Sequence, residues 1–338
     1  MEPLRIGVLG AARISENAIV TPARLTGTRL VAVAARNHSR AQDFAEAAGV
    51  ERVLDSYQAV LEDPEVEAIY NPLPNGLHGP WNARAIAAGK HVLSEKPFAS
   101  NAEEAAEIRK QAAATSLVVS EAFHYLYHPA TTRLMEILAG GEIGELRHVE
   151  ASMLGNSPDD DPRWNLSLAG GALMDLGCYS ISVIRRLGRF AGGPPVLTSA
   201  RGGERSGHPK VDEWVTAELA YPTGSTATSV CHMASDVNEF SLQVVGSAGE
   251  IRSENFAVPH ADDRITVAVA RDSRTDTRVE HLGTKTSYTY QLEAFTRAVR
   301  LGEPMLTDLD DAVANMELID DCYRTLGYGP RPRTVLPG

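Results

Sequence analysis

The chain has 338 residues, 43% hydrophobic and 22% charged, the profile of an ordinary globular protein of about two domains rather than a disordered or fibrous one. Lys and Arg total 32 against 44 Asp and Glu, a formal net charge of −12, the wrong sign for a protein that grips a nucleic-acid backbone. No run of about 18 apolar residues occurs, Met1-Glu2-Pro3-Leu4-Arg5 lacks a signal-peptide layout, and Cys178, Cys231 and Cys322 have no C-x-x-C spacing, so the expectation is a cytoplasmic protein without membrane partner, disulfide framework or structural zinc.

Strand-like and helix-like runs alternate along the first third. Leu4 to Leu9, Leu30 to Ala34, Ala68 to Tyr70, His91 to Leu93 and Leu117 to Val119 read as buried strands, separated by helical stretches such as Arg40 to Ala48, Trp81 to Ala88 and Ala102 to Ala114. Continuous apolar strands joined through helices predict a parallel sheet covered on both faces, an α/β domain over 1–125. Leu146 to Ser152, Trp214 to Tyr221, Ser225 to His232 and Phe240 to Val245 are strand candidates joined mostly by short turns, which predicts an α+β domain over 126–338 with a large open, mostly antiparallel sheet. Within it Gly170 to Leu187 has helical spacing, the Gly/Pro-rich stretch Gly192 to Lys210 reads as a turn or surface loop, and Tyr288 to Arg300 and Asp308 to Tyr323 read as closing helices. A sheet with one face uncovered leaves apolar area for a second copy, so a homodimer or homotetramer is expected.

Gly10-Ala11-Ala12-Arg13-Ile14-Ser15 follows the first strand, where a dinucleotide fingerprint needs small residues for a tight turn and close approach of the backbone to a pyrophosphate. Only the first of three glycines is present, and the string alone is equally that of an ordinary strand-to-helix turn. After the second strand no carboxylate precedes Asp43, while Arg36 and Arg40 are four apart. A ribose 2′-hydroxyl calls for Asp or Glu at this place and a 2′-phosphate calls for Arg, so the reading is NADP, with NAD as the alternative. The two arginines could also be plain solvated residues at a helix start.

Three more strings lie where open α/β sheets put ligands. Asn71-Pro72-Leu73-Pro74-Asn75-Gly76-Leu77-His78 is a Pro-rich turn after a strand, and Glu95-Lys96-Pro97 follows another. A lysine there can donate to a substrate oxygen, and Pro97 can fix the loop, a cis bond being one way to do so. Asp175 and Tyr179 are four apart, on one face if helical; taken alone they could be a capping residue and a half-buried helix residue.

As an ordered set these strings resemble the glucose-fructose oxidoreductase / inositol dehydrogenase / rhizopine-catabolism (Gfo/Idh/MocA) family over a little more than half the chain. Tyr rather than His at 179, with Glu121 to Pro129 and Arg163-Trp164-Asn165, is similar to the branch with dihydrodiol and xylose dehydrogenases. The resemblance implies a Rossmann domain, a domain on a large open sheet, and an active site between them. It also implies a hydride-transferring enzyme acting on a secondary alcohol or carbonyl of a sugar or cyclic diol. Lys96, Tyr179 and Asp175 would be catalytic: a lysine ammonium favours the phenolate of a tyrosine acid/base, and Asp175 would anchor a hydroxyl. Gly10, Ala11, Ala12, Arg13, Ile14, Arg36, Arg40, Asn71, Pro72, Leu73, Asn75, His78, Glu95, Lys96, Arg163 and Trp164 would hold the cofactor, Trp164 being equally suited to a core position. Ala12 and Ser15 depart from the fingerprint's glycines. A keto-sugar reductase and a non-catalytic nucleotide-binding regulator on the same fold are the alternatives. His124 and His128 have a helical metal-ligand spacing, but Pro129 disfavours helix at His128 and no further ligands complete a site, so no metal is expected.

Overall fold

The computed structural model describes residues 2–271 and 274–336. They form two compact units: Met1–His124 with Tyr288–Met316 and Arg333–Gly338, and Tyr125–Ser287 with Glu317–Pro332.

In the first unit β1 (Arg5–Leu9), β2 (Arg29–Ala34), β3 (Ala68–Asn71), β4 (His91–Ser94) and β5 (Val119–Glu121) form a five-stranded parallel sheet in the order β2-β1-β3-β4-β5, a Rossmann-type arrangement. The helices between them are α1 (Thr21–Thr26), α2 (His38–Ala48), α3 (Tyr57–Glu62), α4 (His78–Ala87) and α5 (Ala102–Ala112). Their starts are written locally. Asn37, Ser56 and Asn101 cap α2, α3 and α5 by accepting from the backbone N–H three residues on. Four of the predicted strands are present and the fifth, expected at Leu117 to Val119, lies two residues later; α3 and the helical stretch from Glu16 to Thr26 are additions, short segments whose periodicity is too brief to read.

In the second unit α6 (Pro129–Ala139) precedes β6 (Leu146–Asn156), and α7 (Cys178–Leu187) follows it. The remaining strands are β7 (Val196–Glu204), β8 (Asp212–Ala220), β9 (Thr226–His232), β10 (Ala234–Glu239), β11 (Leu242–Gly246), β12 (Gly249–Ser253), β13 (Arg264–Arg271) and β14 (Arg274–His281). Among the described residues they make a nine-stranded sheet, β14-β13-β12-β11-β6-β9-β8-β7 with β10 beside β6, in which β6 and β9 are parallel and the other pairs antiparallel. The stretch expected to be a loop, Gly192 to Lys210, contains β7, which pairs with β8 along its length. Its Gly-rich sequence hides an edge strand, because an edge needs a partner on one side only. The apolar stretch Leu166–Phe190 is long enough to cross a bilayer by length and composition, yet its most apolar part is mostly buried, as a core helix is. A row in register across the sheet runs Glu218, Thr228, Glu150, Gln243, Arg252 and Thr266, with Thr228 donating to Glu218 at 2.8 Å, and ends at Val279, which is 52% exposed.

The closing helices α8 (Ser287–Leu301) and α9 (Leu309–Thr325) correct a simple division at residue 125. Tyr288, Leu292 and Phe295 of α8 belong to the same buried cluster as Ile6, Val8 and Leu30, so the chain returns to the first unit to finish its core.

Candidate active site

In the first unit the strand order reverses at β1 and β3, and open parallel sheets bind ligands outside the carboxyl ends of the strands at such a point. Gly10 ends β1 with φ +92°, and a Cβ there would lie 3.1 Å from Leu73 Cδ2, so the turn calls for glycine. Its N–H donates to Ala34 O at 2.7 Å. Ala11, Ala12 and Arg13 border a pocket of about 310 Å³, closed on its other side by Arg40, Asp43 and Phe44 of α2. Arg40 bridges the two sides by donating from its guanidinium to Ala11 O at 3.1 Å. Arg36, exposed, extends from the end of β2, and Ile14 is 37% exposed beside the fingerprint, an apolar side chain a ligand could cover. Glu16, also at the pocket, is paired with Arg24 at 3.1 Å. The Ser15 hydroxyl, fully buried at the place of the fingerprint's third glycine, has no hydrogen-bond partner among the described residues. A small turn, an open pocket bordered by Arg13 and Arg40, and a buried hydroxyl fit a dinucleotide phosphate group. Tyr57 was not legible in the sequence: its ring packs edge-on against Trp81 at 5.1 Å, its hydroxyl faces the Gly10 turn, and burial raises its pKa.

Lys96, half-buried, sits on a loop braced at every neighbour. Glu95 donates its N–H to Asn71 O at 3.0 Å and accepts from the Tyr70 hydroxyl at 2.8 Å. The Lys96–Pro97 bond is cis, and the Pro97 carbonyl meets His78 Nδ1 at 2.7 Å. Phe98 donates its N–H to the Glu121 carboxylate at 2.8 Å. Several residues assigned to cofactor contact therefore carry a scaffold duty. Asn71 is fully buried, its amide donating to Asn82 Oδ1 and His78 O at 2.8 and 3.2 Å, and the His78 ring lies between the carbonyls of Pro97 and Leu73. Pro72, Leu73 and Asn75 are buried along the same turn. Asn71, Glu95 and Glu121 lie at or next to the carboxyl ends of β3, β4 and β5, and Glu121, named only within the string Glu121 to Pro129, was not read as a brace.

In the second unit Leu173–Gly177 is a π-helical turn that leads into α7, not the regular α-helix expected. Gly177 lets this turn sit close on β9: a Cβ would lie 2.9 Å from Cys231 Sγ. π turns recur at functional sites because they re-aim side chains, and the helix after the fingerprint opens with another, Glu16–Val20. Asp175 is buried rather than solvated, its Oδ2 accepting from Arg163 at 2.8 Å. Arg163 is also held by Asp161, whose pKa it lowers. Tyr179 is 7% exposed, its ring 6.0 Å from that of Tyr125. Trp164 is buried: its indole N–H donates to Pro158 O at 2.9 Å and Arg205 covers its ring at 4.8 Å. His128 caps α6, accepting from Ala130 N at 3.1 Å, and among the described residues no three His, Cys, Asp or Glu gather as metal ligands.

A model of an oxidoreductase family with an NAD-binding Rossmann fold matches residues 4–123, and one of the GFO/IDH/MocA C-terminal domain matches 131–252. D-xylose 1-dehydrogenase (NADP(+)) 2 of Haloferax volcanii is 32% identical over 331 residues, 96% of this chain and 98% of that one. Trans-1,2-dihydrobenzene-1,2-diol dehydrogenase of Bos taurus is 33% identical over 249 residues, 73% of this chain and 72% of its own. The crystal structure of a 3-ketoreductase from Actinomadura kijaniata, in complex with NADP and TDP-benzene, matches with TM-score 0.87 and 30% identity over 96% of this chain and 98% of that one. Variants of that reductase with one tyrosine changed to phenylalanine, or one lysine to alanine, match as well. Across both units, therefore, the chain belongs to the GFO/IDH/MocA family of oxidoreductases.

Proposed function

We infer that the protein is an NADP(H)-dependent oxidoreductase that moves a hydride between the nicotinamide and a secondary alcohol or carbonyl of a sugar or cyclic diol. The observation that carries this is the likeness, over nearly the whole chain, to an NADP-dependent xylose dehydrogenase and to a ketoreductase crystallised with NADP. In this reading the first unit holds NADP, with Gly10 to Ile14 on the pyrophosphate and Arg36 and Arg40 toward the 2′-phosphate, and the second takes the substrate.

When bound, the nicotinamide supplies the hydride chemistry. The chain handles the proton. Tyr179 accepts it from the substrate hydroxyl in oxidation and returns it in reduction. A phenol with a pKa near 10 is a poor base at neutral pH, and the Lys96 ammonium offsets this by favouring the phenolate while donating to the substrate oxygen. Asp175, held by Arg163, anchors a hydroxyl of the substrate. The bracing around Lys96 supports this role, since a charge that acts on a transition state needs a fixed position.

Reduction of a keto-sugar is the second reading, favoured by the likeness to the 3-ketoreductase. Assembly as a homodimer or homotetramer belongs to the proposal too, to be read by light scattering at micromolar concentration. A cytoplasmic location accords with three buried cysteines, all free.

The test is a turnover screen of aldopentoses, aldohexoses and trans-diols with NADP and with NAD, and of keto-sugars with NADPH. NADP should exceed NAD in kcat/KM by about tenfold or more, equivalent to about 1.4 kcal/mol. Tight NADP binding without turnover on any of these would favour the regulator instead, and equal dissociation constants for the two cofactors would overturn the NADP reading.

A further inference from the structure

We propose that Asp212, Arg331 and Tyr323 form a positioning unit that fixes the helix bearing Asp175 and Tyr179, which makes Arg331 a residue of the catalytic machinery at one remove; this rests on Tyr179 being the proton-exchanging group. Asp212 is fully buried at the start of β8. Its Oδ2 accepts from the Leu173 N–H at 2.7 Å, the first residue of the π turn that holds Asp175. Its Oδ1 accepts from the Tyr323 hydroxyl at 2.9 Å and from the Arg331 guanidinium. Arg331 is 1% exposed, stacks over the Tyr323 ring at 3.7 Å and donates to Lys210 O at 2.6 Å. The carboxylate thus joins three distant segments at one point, and one of them is the start of the site helix.

Two features mark this point as more than packing. A fully buried ion pair carries a desolvation cost that apolar side chains of similar volume would avoid, so stability alone is a weak reason for it. The backbone around it is also forced. The two non-glycine residues with positive φ among the described residues are Ala169, at +55°, and Lys210, at +61°. Ala169 lies just before Gly170-Gly171, and Lys210 offers the carbonyl that Arg331 takes. Gly171 has φ +131°, and a Cβ there would collide with Asp212 Oδ1. Its carbonyl accepts from Asp175 N at 3.0 Å, and its N–H donates to the carbonyl of Arg163, the partner of Asp175. Left-handed non-glycine residues persist only where surroundings over-determine them. Arg331 supplies that determination at Lys210 through its carbonyl, Asp212 fixes the Leu173 N–H, and the rotation of the first helical turn follows.

The experiment uses the full-length enzyme and the variants Arg331→Met, Arg331→Lys and Tyr323→Phe. Hydrogen exchange of amides 173–179, NADPH affinity and steady-state kinetics are measured on each. In Arg331→Met the helix-start amides should exchange faster while those of β1 and α4 stay as in wild type, because opening is local. Turnover should fall roughly 10- to 100-fold, the scale of an angstrom-sized misplacement, with NADPH affinity within about twofold of wild type. Arg331→Lys should restore part of the loss, and Tyr323→Phe, which removes one hydrogen bond and keeps the ring, should shift both readouts in the same direction by less. Unchanged exchange at 173–179 together with unchanged turnover in any folded variant overturns the proposal, as does faster exchange spread evenly over both units. Tyr179→Phe is measured alongside. If that variant turns over normally while Arg331→Met still loosens the helix and slows the enzyme, the proton assignment fails and the positioning unit stands.

Discussion

The two units anchor their candidate site residues over very different distances along the chain. Around Lys96 the braces come from 25, 19 and 23 residues away: Tyr70 to Glu95, His78 to Pro97, Glu121 to Phe98. Around the helix of Tyr179 they come from farther, since Asp212 meets Leu173, Tyr323 and Arg331 across 39, 111 and 119 residues. A parallel sheet explains the first case. Each strand-helix unit delivers the next strand end to the same edge, so neighbouring strand ends share a loop cluster. The second unit has no such repeat, and its site helix is held by whatever the sheet and the tail bring together.

That difference should show first in its glycines. Gly171→Ala places a Cβ against the buried Asp212 carboxylate at φ +131°, with backbone on both sides already fixed, and should cost about 3 kcal/mol or more, read as a fall in the unfolding midpoint. Gly10→Ala at φ +92° meets side-chain atoms alone, Leu73 Cδ2 at 3.1 Å and the Tyr57 hydroxyl at 3.8 Å, and should cost less, about 1 to 2 kcal/mol. Equal losses would erase the contrast. Next, Arg36→Ala should weaken NADP by roughly 1.5 to 3 kcal/mol while leaving NAD nearly unchanged, since only NADP has a phosphate to lose. Isothermal titration with each cofactor checks it, and a parallel loss would mean that Arg36 supports the fold instead.

The smallest effect concerns the joint that returns α8 to the first unit. Arg300 grips Glu67 at 2.9 and 2.6 Å, and this guanidinium, with Arg5, holds the carboxyl at about 2 against an ordinary value of 4.5. A carboxylate whose folded pKa is depressed stabilises above the unfolded value and loses that contribution as pH falls through the folded one. Wild type should therefore exceed Arg300→Met by roughly 1 to 2 kcal/mol at pH 7, allowing for screening at a partly exposed pair, and the gap should close between pH 4.5 and 2. Urea unfolding at pH 7 and pH 3 measures it; a gap that does not shrink would assign the stabilisation to packing.

The same contrast decides what could be read from the sequence. All five parallel strands and the loops at Gly10, Asn71 and Lys96 were legible, because buried strands are short apolar runs and their ends are marked by Gly, Asn or Pro. The scaffold use of Asn71 and His78 was not, since a polar residue after a strand reads alike whether it faces a ligand or the protein. In the second unit β7 was lost among glycines, β12 and β14 are mostly polar without a clear start, and the apolar run of β13 was passed over. Asp212 gave no signal at all: one acid beside Glu213 at the head of a strand looks solvated until Arg331 is brought to it.

The most direct test is Tyr179→Phe, which keeps the ring and deletes the hydroxyl, with turnover and NADPH affinity measured on the same preparation. The expected result is a 10²- to 10⁴-fold fall in turnover, roughly the contribution of a positioned acid/base, with folding and NADPH binding retained. On the proposed roles, Lys96→Met should also slow the enzyme and move the remaining alcohol oxidation to higher pH, because the charge proposed to favour the phenolate would be gone. Near-normal turnover in Tyr179→Phe with cofactor binding intact would contradict the account and pass the proton to another group.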